Sequence, residues 1–302
     1  TPPCARSRAD ARRWCCLMSR IAYVDGVYQP IDMPGIHVED RGYQFADGVY
    51  EVFAVHNGHL IDENAHLDRL ERSLAELNIA APMSRPALQI VLHETMSRNR
   101  VRNGIVYLQV TRGVASRDHN YPVGLKPVLV ITARPSDPAR RDRVLREGIS
   151  VVTVPDQRWG RCDIKSISLL PNVLARQTAK DKGVQEAWQV DADGMVTEGA
   201  ATNAWIVDSQ GVLRTRPANA GILNGIVRQT IIGLLDEMDL TFDERAFSVD
   251  EARAARECFS TASTLAVFPV VNIDGHDIGN GKPGDVALKI ADQYDQHSLI
   301  EI

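Results

Sequence analysis

Alternating apolar and polar residues around short glycine-containing turns predict a chain rich in β-hairpins. The first hairpin is predicted over 21–29, around Asp25-Gly26, and the second over 52–61, around Asn57-Gly58. Asp-Gly and Asn-Gly are typical of two-residue hairpin turns, in which both central residues take positive φ. Two later hairpins with the same kind of turn residues are predicted over 187–197 and 204–215.

Apolar residues spaced three and four apart predict helices between these strands. Leu67, Leu70 and Leu74 mark the apolar side of a helix over 65–78, and Ser84 is predicted to cap a second helix that runs to about residue 100. Gly183 is predicted to end a third helix. Further helices are predicted over 170–182, 225–238 and 285–296 and after the capping box of Ser248 and Glu251, with strands over 105–111, 128–133, 149–154 and within 258–271.

This order of elements predicts an α+β fold with two domains. Hairpins dominate and regular βαβ alternation is missing, which argues against a Rossmann sheet or an eightfold barrel. The charged, proline-containing stretch 134–143 is the best linker candidate. We therefore predict a small N-terminal α/β domain over 18–135, a linker over 136–143 and a larger C-terminal α+β domain over 144–302.

The first residues differ in character from this pattern. Residues 1–17 contain four arginines and no apolar core segment, so we expect a poorly ordered extension ahead of Met18 rather than a secretory signal. The cysteines outside it, Cys162 and Cys258, lack the C-x-x-C spacing, which favours reduced thiols in a cytoplasmic protein.

Composition excludes several classes of protein. The chain has 302 residues, of which 44% are hydrophobic and 24% charged, enough apolar material for a sizeable core. The net charge of -5 argues against a dedicated nucleic-acid binder, and no apolar run approaches the ~20 residues of a membrane helix. His56 and His59 flank a tight turn without a third ligand nearby, so no metal site is predicted.

Candidate chemistry centres on Lys165 and Glu198. Lys165 has apolar neighbours, and such desolvation disfavours the ammonium form, as in lysines that form Schiff bases with carbonyl compounds. Glu198 ends a predicted strand and is followed by the small residues 199–201, which leave room for a ligand. A carboxylate at a pyridine nitrogen would keep that nitrogen protonated, as pyridoxal chemistry requires. A surface lysine and a solvated glutamate are the alternative readings.

Two further groups of residues have the chemistry of anion binding. Gly225, Ile226 and Val227 at a predicted helix start offer backbone N–H groups to a phosphate, although an ordinary glycine cap fits equally well. Tyr43, Arg117 and His119 together carry groups that grip a carboxylate, whereas singly each is more often structural.

Three motifs together carry a family resemblance: Cys-Asp-Ile-Lys-Ser at 162–166, Thr-Glu-Gly at 197–199 with small residues before Asn203, and Gly-Ile-Leu-Asn-Gly-Ile-Val-Arg at 221–228. The chain resembles the fold-type IV pyridoxal-phosphate aminotransferases, and within them most closely the D-amino-acid transaminases, from about residue 21 to about residue 289. The resemblance implies pyridoxal 5′-phosphate as cofactor and a ping-pong transamination between D-amino acids, such as D-alanine, and 2-oxo acids, such as 2-oxoglutarate.

The resemblance also assigns roles to individual residues. Lys165 would be catalytic and would hold the cofactor as a Schiff base. Substrate carboxylate would bind to Tyr43, Arg117 and His119, the last two supplied by the neighbouring subunit of a homodimer. The other cofactor contacts would be Glu198 at the ring nitrogen and Arg69, Leu223, Ile226, Val227, Ser263 and Thr264.

Other functions stay open at this point. Branched-chain L-amino-acid transaminases usually have tyrosine five residues after the lysine, where this chain has Leu170. An (R)-amine transaminase is a further alternative, and a non-catalytic ligand-binding protein on the same fold is an alternative of a different class.

Overall fold

The computed structural model describes residues 20–300. The extension predicted over 1–17, with its cysteines, therefore lies outside the described residues, as does the start predicted at Met18.

The first sheet is antiparallel throughout and has the order β2-β1-β6-β5-β3-β4. Its turns follow the residue types predicted for them, because Asp25 and Gly26 take φ values of 42° and 104°, and Asn57 and Gly58 take 51° and 91°. The strands are β1 (Ile21–Val24), β2 (Val27–Pro30), β3 (Gly48–His56), β4 (His59–Leu60), β5 (Gly104–Thr111) and β6 (Val128–Pro135).

The second sheet is mixed and has the order β12-β11-β10-β13-β14-β7-β8-β9, with β15 paired to β14. Strand β7 runs parallel to both of its neighbours, β14 and β8. The strands are β7 (Ile149–Pro155), β8 (Glu186–Val190), β9 (Val196–Gly199), β10 (Asn203–Val207), β11 (Leu213–Thr215), β12 (Phe242–Asp243), β13 (Glu257–Ala262), β14 (Ala266–Ile273) and β15 (His276–Asp277).

The helices cover the sheets and bury their apolar sides. They are α1 (Arg41–Phe45), α2 (Glu63–Glu76), α3 (Arg85–Arg98), α4 (Pro138–Glu147), α5 (Leu170–Asp181), α6 (Ile226–Leu234), α7 (Val249–Arg253) and α8 (Asp285–Ile300). Leu67 and Leu70 of α2 and Leu92 of α3 pack with Phe53 and Leu108 of the first sheet. The contacts of Leu67 and Leu70 confirm the apolar side predicted for α2.

Both faces of the second sheet are buried. Trp205 of β10 packs with Ile231 of α6 and Ile290 of α8, whereas its neighbour Ile206 packs with Phe247 on the opposite face. Successive strand residues point to opposite faces, so burial of both faces explains why β10 is apolar almost throughout.

Three elements differ from their predictions in detail. Helix α4 occupies most of the stretch predicted as a linker, and Asp137 caps it by accepting from the N–H of Ala139 at 3.1 Å. Helix α6 ends at Leu234 instead of near Met238, and the turn that follows still buries Leu235. The short helix α1 was not predicted. The domain boundaries at 135 and 144 remain a prediction.

Within residues 20–300, no helix combines the length and apolarity needed to cross a bilayer. In the same part of the chain, no group of three or more His, Cys, Asp and Glu side chains could hold a metal ion.

Candidate active site

A cavity of about 220 Å³ is lined by residues from both sheets. Strand β3 and helix α2 contribute to one side, and β9, the start of α6 and the turn after β13 contribute to the other. All eight predicted cofactor residues line this cavity: Arg69, Lys165, Glu198, Leu223, Ile226, Val227, Ser263 and Thr264. The three predicted substrate residues do not.

Lys165 is held at the edge of the first sheet. The carbonyl oxygen of Lys165 accepts from the N–H of Tyr50 at 3.0 Å, and the N–H of Ile167 donates to Gly48 at 3.0 Å. Its Nζ lies 4.2 Å from the centre of the Tyr50 ring, a cation–π distance. Backbone pairing with β3 therefore fixes where the amine enters the cavity.

Glu198 is a buried carboxyl group with several donors. Asn203 Nδ2 donates to it at 3.0 Å, the N–H of Leu223 donates at 3.2 Å, and Arg158 Nη1 forms an ion pair with it. Burial raises the pKa of Glu198 to about 7, although the charge of Arg158 and the Leu223 N–H act in the opposite direction. This carboxyl group can accept a proton or a hydrogen bond from a ring nitrogen in the cavity.

Arg158 was not singled out in the sequence, yet it organises this end of the cavity. Its Nε and Nη2 bind Asp156 at 2.9 and 2.6 Å, and Nη2 also donates to the carbonyl of Gly221 at 3.1 Å. Asp156 and Gly221 thus hold the guanidinium in the position from which it pairs with Glu198. No local sequence signal marks this contact, because Arg158 and Glu198 lie on separate segments.

The N-terminus of α6 faces the cavity without a side-chain cap. Gly225 is the N-cap residue, and no side chain accepts a hydrogen bond there. A Cβ at Gly225 would lie 2.1 Å from Asn203 Oδ1, so only glycine fits without displacing Asn203. Ile226 and Val227 line the cavity beside it, as predicted. Backbone N–H groups and the helix dipole make such an end suitable for a phosphate.

Arg69 enters the same end of the cavity from α2. Its Nε and Nη2 each donate to Glu51 at 2.8 Å, and its Nη1 donates to the carbonyl of Asn224 at 3.2 Å. Glu51 also binds His66 Nδ1 at 2.7 Å, and His66 Nε2 lies 3.3 Å from Ser263 Oγ. Burial alone would raise the pKa of Glu51, but Arg69 and His66 lower it to about 2.

The structure does not place Tyr43 in the cavity of its own chain. Helix α1 turns this side chain outward, where it is 80% exposed. The tyrosine that lines the cavity is Tyr50, on β3. Tyr50 lies in the same segment that suggested Tyr43, on the strand that follows helix α1.

Arg117 and His119 are also exposed and lie outside the cavity of their own chain. They belong to residues 112–121, which we term the substrate loop after the role predicted for Arg117 and His119. Both side chains contact Phe45: the Arg117 guanidinium carbon lies 5.1 Å from the ring centre, and the His119 ring lies 5.6 Å away. Arg41 fixes the backbone beside them by donating to the carbonyls of Asp118 and His119 at 2.6 and 3.3 Å.

The residues that line the cavity fit pyridoxal 5′-phosphate. A lysine amine is available for its aldehyde, a buried carboxyl group for its ring nitrogen, and an uncapped helix N-terminus for its phosphate. Buried Thr202 Oγ1, also at the cavity, has no hydrogen-bond partner among the described residues. An unpaired buried hydroxyl is costly, so a polar ligand atom would satisfy it.

Comparison with known proteins agrees with this geometry. The profile of the family described as amino-transferase class IV matches residues 48–273. A D-alanine aminotransferase from Bacillus licheniformis is 41% identical over 255 residues, covering 84% of this chain and 89% of that protein. A D-alanine aminotransferase from Listeria innocua is 39% identical over 260 residues, covering 86% and 89%.

A solved structure with a similar fold is the branched-chain amino acid aminotransferase of Escherichia coli. It superposes with a TM-score of 0.85 over 93% of this chain and 95% of that chain, at 22% sequence identity. At this identity the likeness establishes the fold alone, which is the fold-type IV architecture expected from the motifs. From the profile match and the sequence relatives together, the chain belongs to the amino-transferase class IV family.

Proposed function

We propose that this protein is a pyridoxal-phosphate-dependent transaminase of D-amino acids, with D-alanine and 2-oxoglutarate as a representative substrate pair. The carrying observation is that one cavity brings together Lys165, the buried Glu198 and the uncapped N-terminus of α6. These are the groups that an aldehyde, a pyridine nitrogen and a phosphate each require. The similarity to D-alanine aminotransferases supports the choice of substrate.

The proposed mechanism assigns each group one task. Pyridoxal 5′-phosphate supplies an aldehyde for imine chemistry and a protonated ring that accepts electrons from the substrate α-carbon. Lys165 would hold the cofactor through its aldehyde, with release of water, and its amine, once freed by the substrate, would carry a proton to and from the substrate as general acid and base. Glu198 would hold a proton on the ring nitrogen, and Arg158 fixes the orientation of the Glu198 carboxyl group through their ion pair.

At the other end, Arg69, the N–H groups of Ile226 and Val227 and the hydroxyls of Ser263 and Thr264 would bind the phosphate. Leu223 acts through its N–H on Glu198. These contacts restrict how the cofactor can lie in the cavity. By holding both ends of the cofactor, these residues would keep its aldehyde within reach of Lys165, and such positioning accounts for a large share of the rate in enzymes.

We propose that the substrate loop of a second copy completes the site in a homodimer. Arg117 and His119 are held against Phe45 and lie outside their own cavity, which supports a role in the cavity of a partner. The surface around them exposes apolar side chains that a second copy would cover, among them Tyr43, Val114, Tyr121 and Val123. Tyr43 would then act at the interface and Tyr50 inside the cavity.

The D-specific proposal is favoured over the alternatives by two features. The pair Arg117 and His119 suits an α-carboxylate, which an (R)-amine lacks. Branched-chain enzymes usually have tyrosine at the position of Leu170, which in this chain is an apolar side chain, 69% exposed.

The proposed location is the cytoplasm, because Cys162 and Cys258 are both free thiols, as is usual in a reducing compartment.

Turnover with D-alanine and 2-oxoglutarate, measured as pyruvate formed, tests the proposal directly. We expect pyruvate from D-alanine and none from L-alanine or L-leucine. Activity with L-leucine alone would replace the proposal by a branched-chain L-transaminase, and activity with a carboxylate-free (R)-amine would replace it by an amine transaminase.

A pair of lysine variants tests the chemistry. Lys165→Ala should lose the visible absorbance of the cofactor imine and nearly all turnover, whereas Lys182→Ala, at an exposed position on the segment after α5, should keep both. Cofactor bound by the unaltered protein without any turnover would favour a non-catalytic binding protein.

A further inference from the structure

His66 is a buried histidine at the phosphate end of the cavity to which the proposed mechanism gives no task. It is 1% exposed and has polar groups near both ring nitrogens, including Arg69 Nη2 at 3.4 Å from Nδ1. Its Nδ1 is 2.7 Å from Glu51 Oε2, and its Nε2 is 3.3 Å from Ser263 Oγ. Ser263 lines the cavity, so His66 touches the cavity only through that hydroxyl.

The hydrogen-bond directions in this chain follow from the carboxylate. An ionised Glu51 can only accept, and it lies closer to Nδ1 (2.7 Å) than the Arg69 donor does (3.4 Å), so Nδ1 carries the proton. A neutral ring then has a lone pair at Nε2, and Ser263 must donate its hydroxyl hydrogen to it. The serine would present only acceptor lone pairs to the cavity, which is the wrong polarity for a phosphate dianion. A protonated ring reverses this: Nε2–H donates to Ser263, and the serine O–H is free to donate to the phosphate.

The charged side chains around His66 do not supply enough positive charge to neutralise a phosphate dianion. Glu51 on β3 and Asp62 just before α2 contribute two carboxylates, and Arg69 on α2 contributes one guanidinium already bound to Glu51. Burial lowers the pKa of His66, and Arg69 acts in the same direction, whereas Glu51 and Asp62 raise it. At pH 8, which is above the ordinary pKa of histidine, a ring with a lowered pKa is neutral before a ligand binds, and a nearby phosphate dianion would favour its protonation.

We infer that binding of the cofactor phosphate takes up one proton from solvent at His66 Nε2, and that this proton turns the Ser263 hydroxyl toward the phosphate. No covalent bond forms or breaks in this step. His66 is thus a positioning residue that acts through Ser263. The inference rests on the proposed function, because it takes the ligand to be pyridoxal 5′-phosphate or its amine form.

Calorimetric titration with pyridoxamine 5′-phosphate measures this uptake. The amine form cannot form an imine with Lys165, and at pH 8 its phosphate is already a dianion because the second pKa of a phosphomonoester is about 6. Titrations in two buffers of different ionisation enthalpy give the number of protons taken up on binding. His66→Asn keeps a donor for Glu51 but cannot gain a proton.

The unaltered protein should take up about one proton more than His66→Asn, and its affinity should fall more steeply with pH, by up to about tenfold per pH unit. The ring nitrogen and Glu198 contribute equally to both proteins and cancel in the difference. His93→Asn, a substitution of an exposed histidine on α3, should take up as many protons as the unaltered protein. Equal uptake with and without His66 would overturn the inference.

A second measurement does not depend on the variant folding. Nitrogen-15 spectra distinguish the signal of a buried histidine ring from those of exposed histidines. When pyridoxamine 5′-phosphate is added at pH 8, the buried ring should change from one protonated nitrogen to two. An unchanged neutral ring in the complex would overturn the inference while leaving the proposed function intact. Failure of the ligand to bind would overturn both.

Discussion

Replacing Glu51 by glutamine should destabilise the protein although the two side chains have nearly the same shape. Glu51 is fully buried and accepts two hydrogen bonds from Arg69 and one from His66. Glutamine cannot accept from both sides, and its amide would face donors. Arg69, 7% exposed, would keep a buried charge without its carboxylate. Removing one partner of a buried ion pair costs about 3–5 kcal/mol.

The pKa of Glu51 gives the same magnitude independently. A value of about 2, against the ordinary 4.5, corresponds to about 3 kcal/mol of native-state stabilisation at neutral pH. The folded-state pKa is lowered, so this stabilisation is fully present above the ordinary pKa and is lost as pH falls through about 2. The variant should therefore be less stable at neutral pH and should lose less stability on acidification.

Urea unfolding of the cofactor-free proteins at pH 7 and at lower pH values measures both effects. Glu186→Gln is the matched control, because burial raises the pKa of Glu186, so its carboxylate stabilises the fold little and its replacement should cost less than about 1 kcal/mol. Equal unfolding free energies for Glu51→Gln and the unaltered protein at pH 7 would refute the assignment of a stabilising buried pair.

Three further substitutions probe other parts of the site. Gly225→Ala should weaken cofactor binding by about tenfold or more in absorbance titrations, because its Cβ would displace Asn203. Gly233→Ala is the control, because a Cβ there has no neighbour within 4 Å and binding should be unchanged. Equal affinities of the two variants would contradict the close fit at Gly225. The unaltered protein should lose stability as pH rises from about 4.5 to about 7, because the folded state holds a proton on Glu198 that the unfolded state releases. Glu198→Gln should not show this loss in urea unfolding. The same pH dependence in both proteins would contradict the raised pKa. Phe45→Leu should raise the KM for D-alanine by about twofold to fivefold at unchanged cofactor affinity, because the substrate loop loses its aromatic support, and an unchanged KM would show that the loop does not need it.

The hairpins were predictable from sequence because their turns are decided by local residue types. The segment around Arg158 behaves differently: its contact with Glu198 depends on how two separate parts of the chain meet, which no local pattern records. The same holds for the network of Glu51 and His66. Lys165 and Glu198 were predicted to be functional because their motifs carry a family resemblance, and the structure places both at one cavity.

The choice between Tyr43 and Tyr50 shows where motif reasoning ends. Both lie within one short segment, and only the five-residue helix α1, which was not predicted, turns Tyr43 to the surface. Helix α4 is a similar case. Its charged sequence resembles a linker, but Asp137 caps it and Gly148, with φ of 72°, ends it. Helix signals were therefore present in a stretch whose composition suggested irregular chain.

His66 links Glu51, on β3 of the first sheet, to Ser263, which follows β13 of the second sheet. During synthesis, the first sheet can form as soon as β6 has emerged, but the phosphate end remains incomplete until β13 and its following turn have been made. The cofactor can therefore bind only late in folding and cannot guide the early steps. Its binding instead secures the final docking of the two sheets, so cofactor shortage should leave nearly finished chains open to proteolysis.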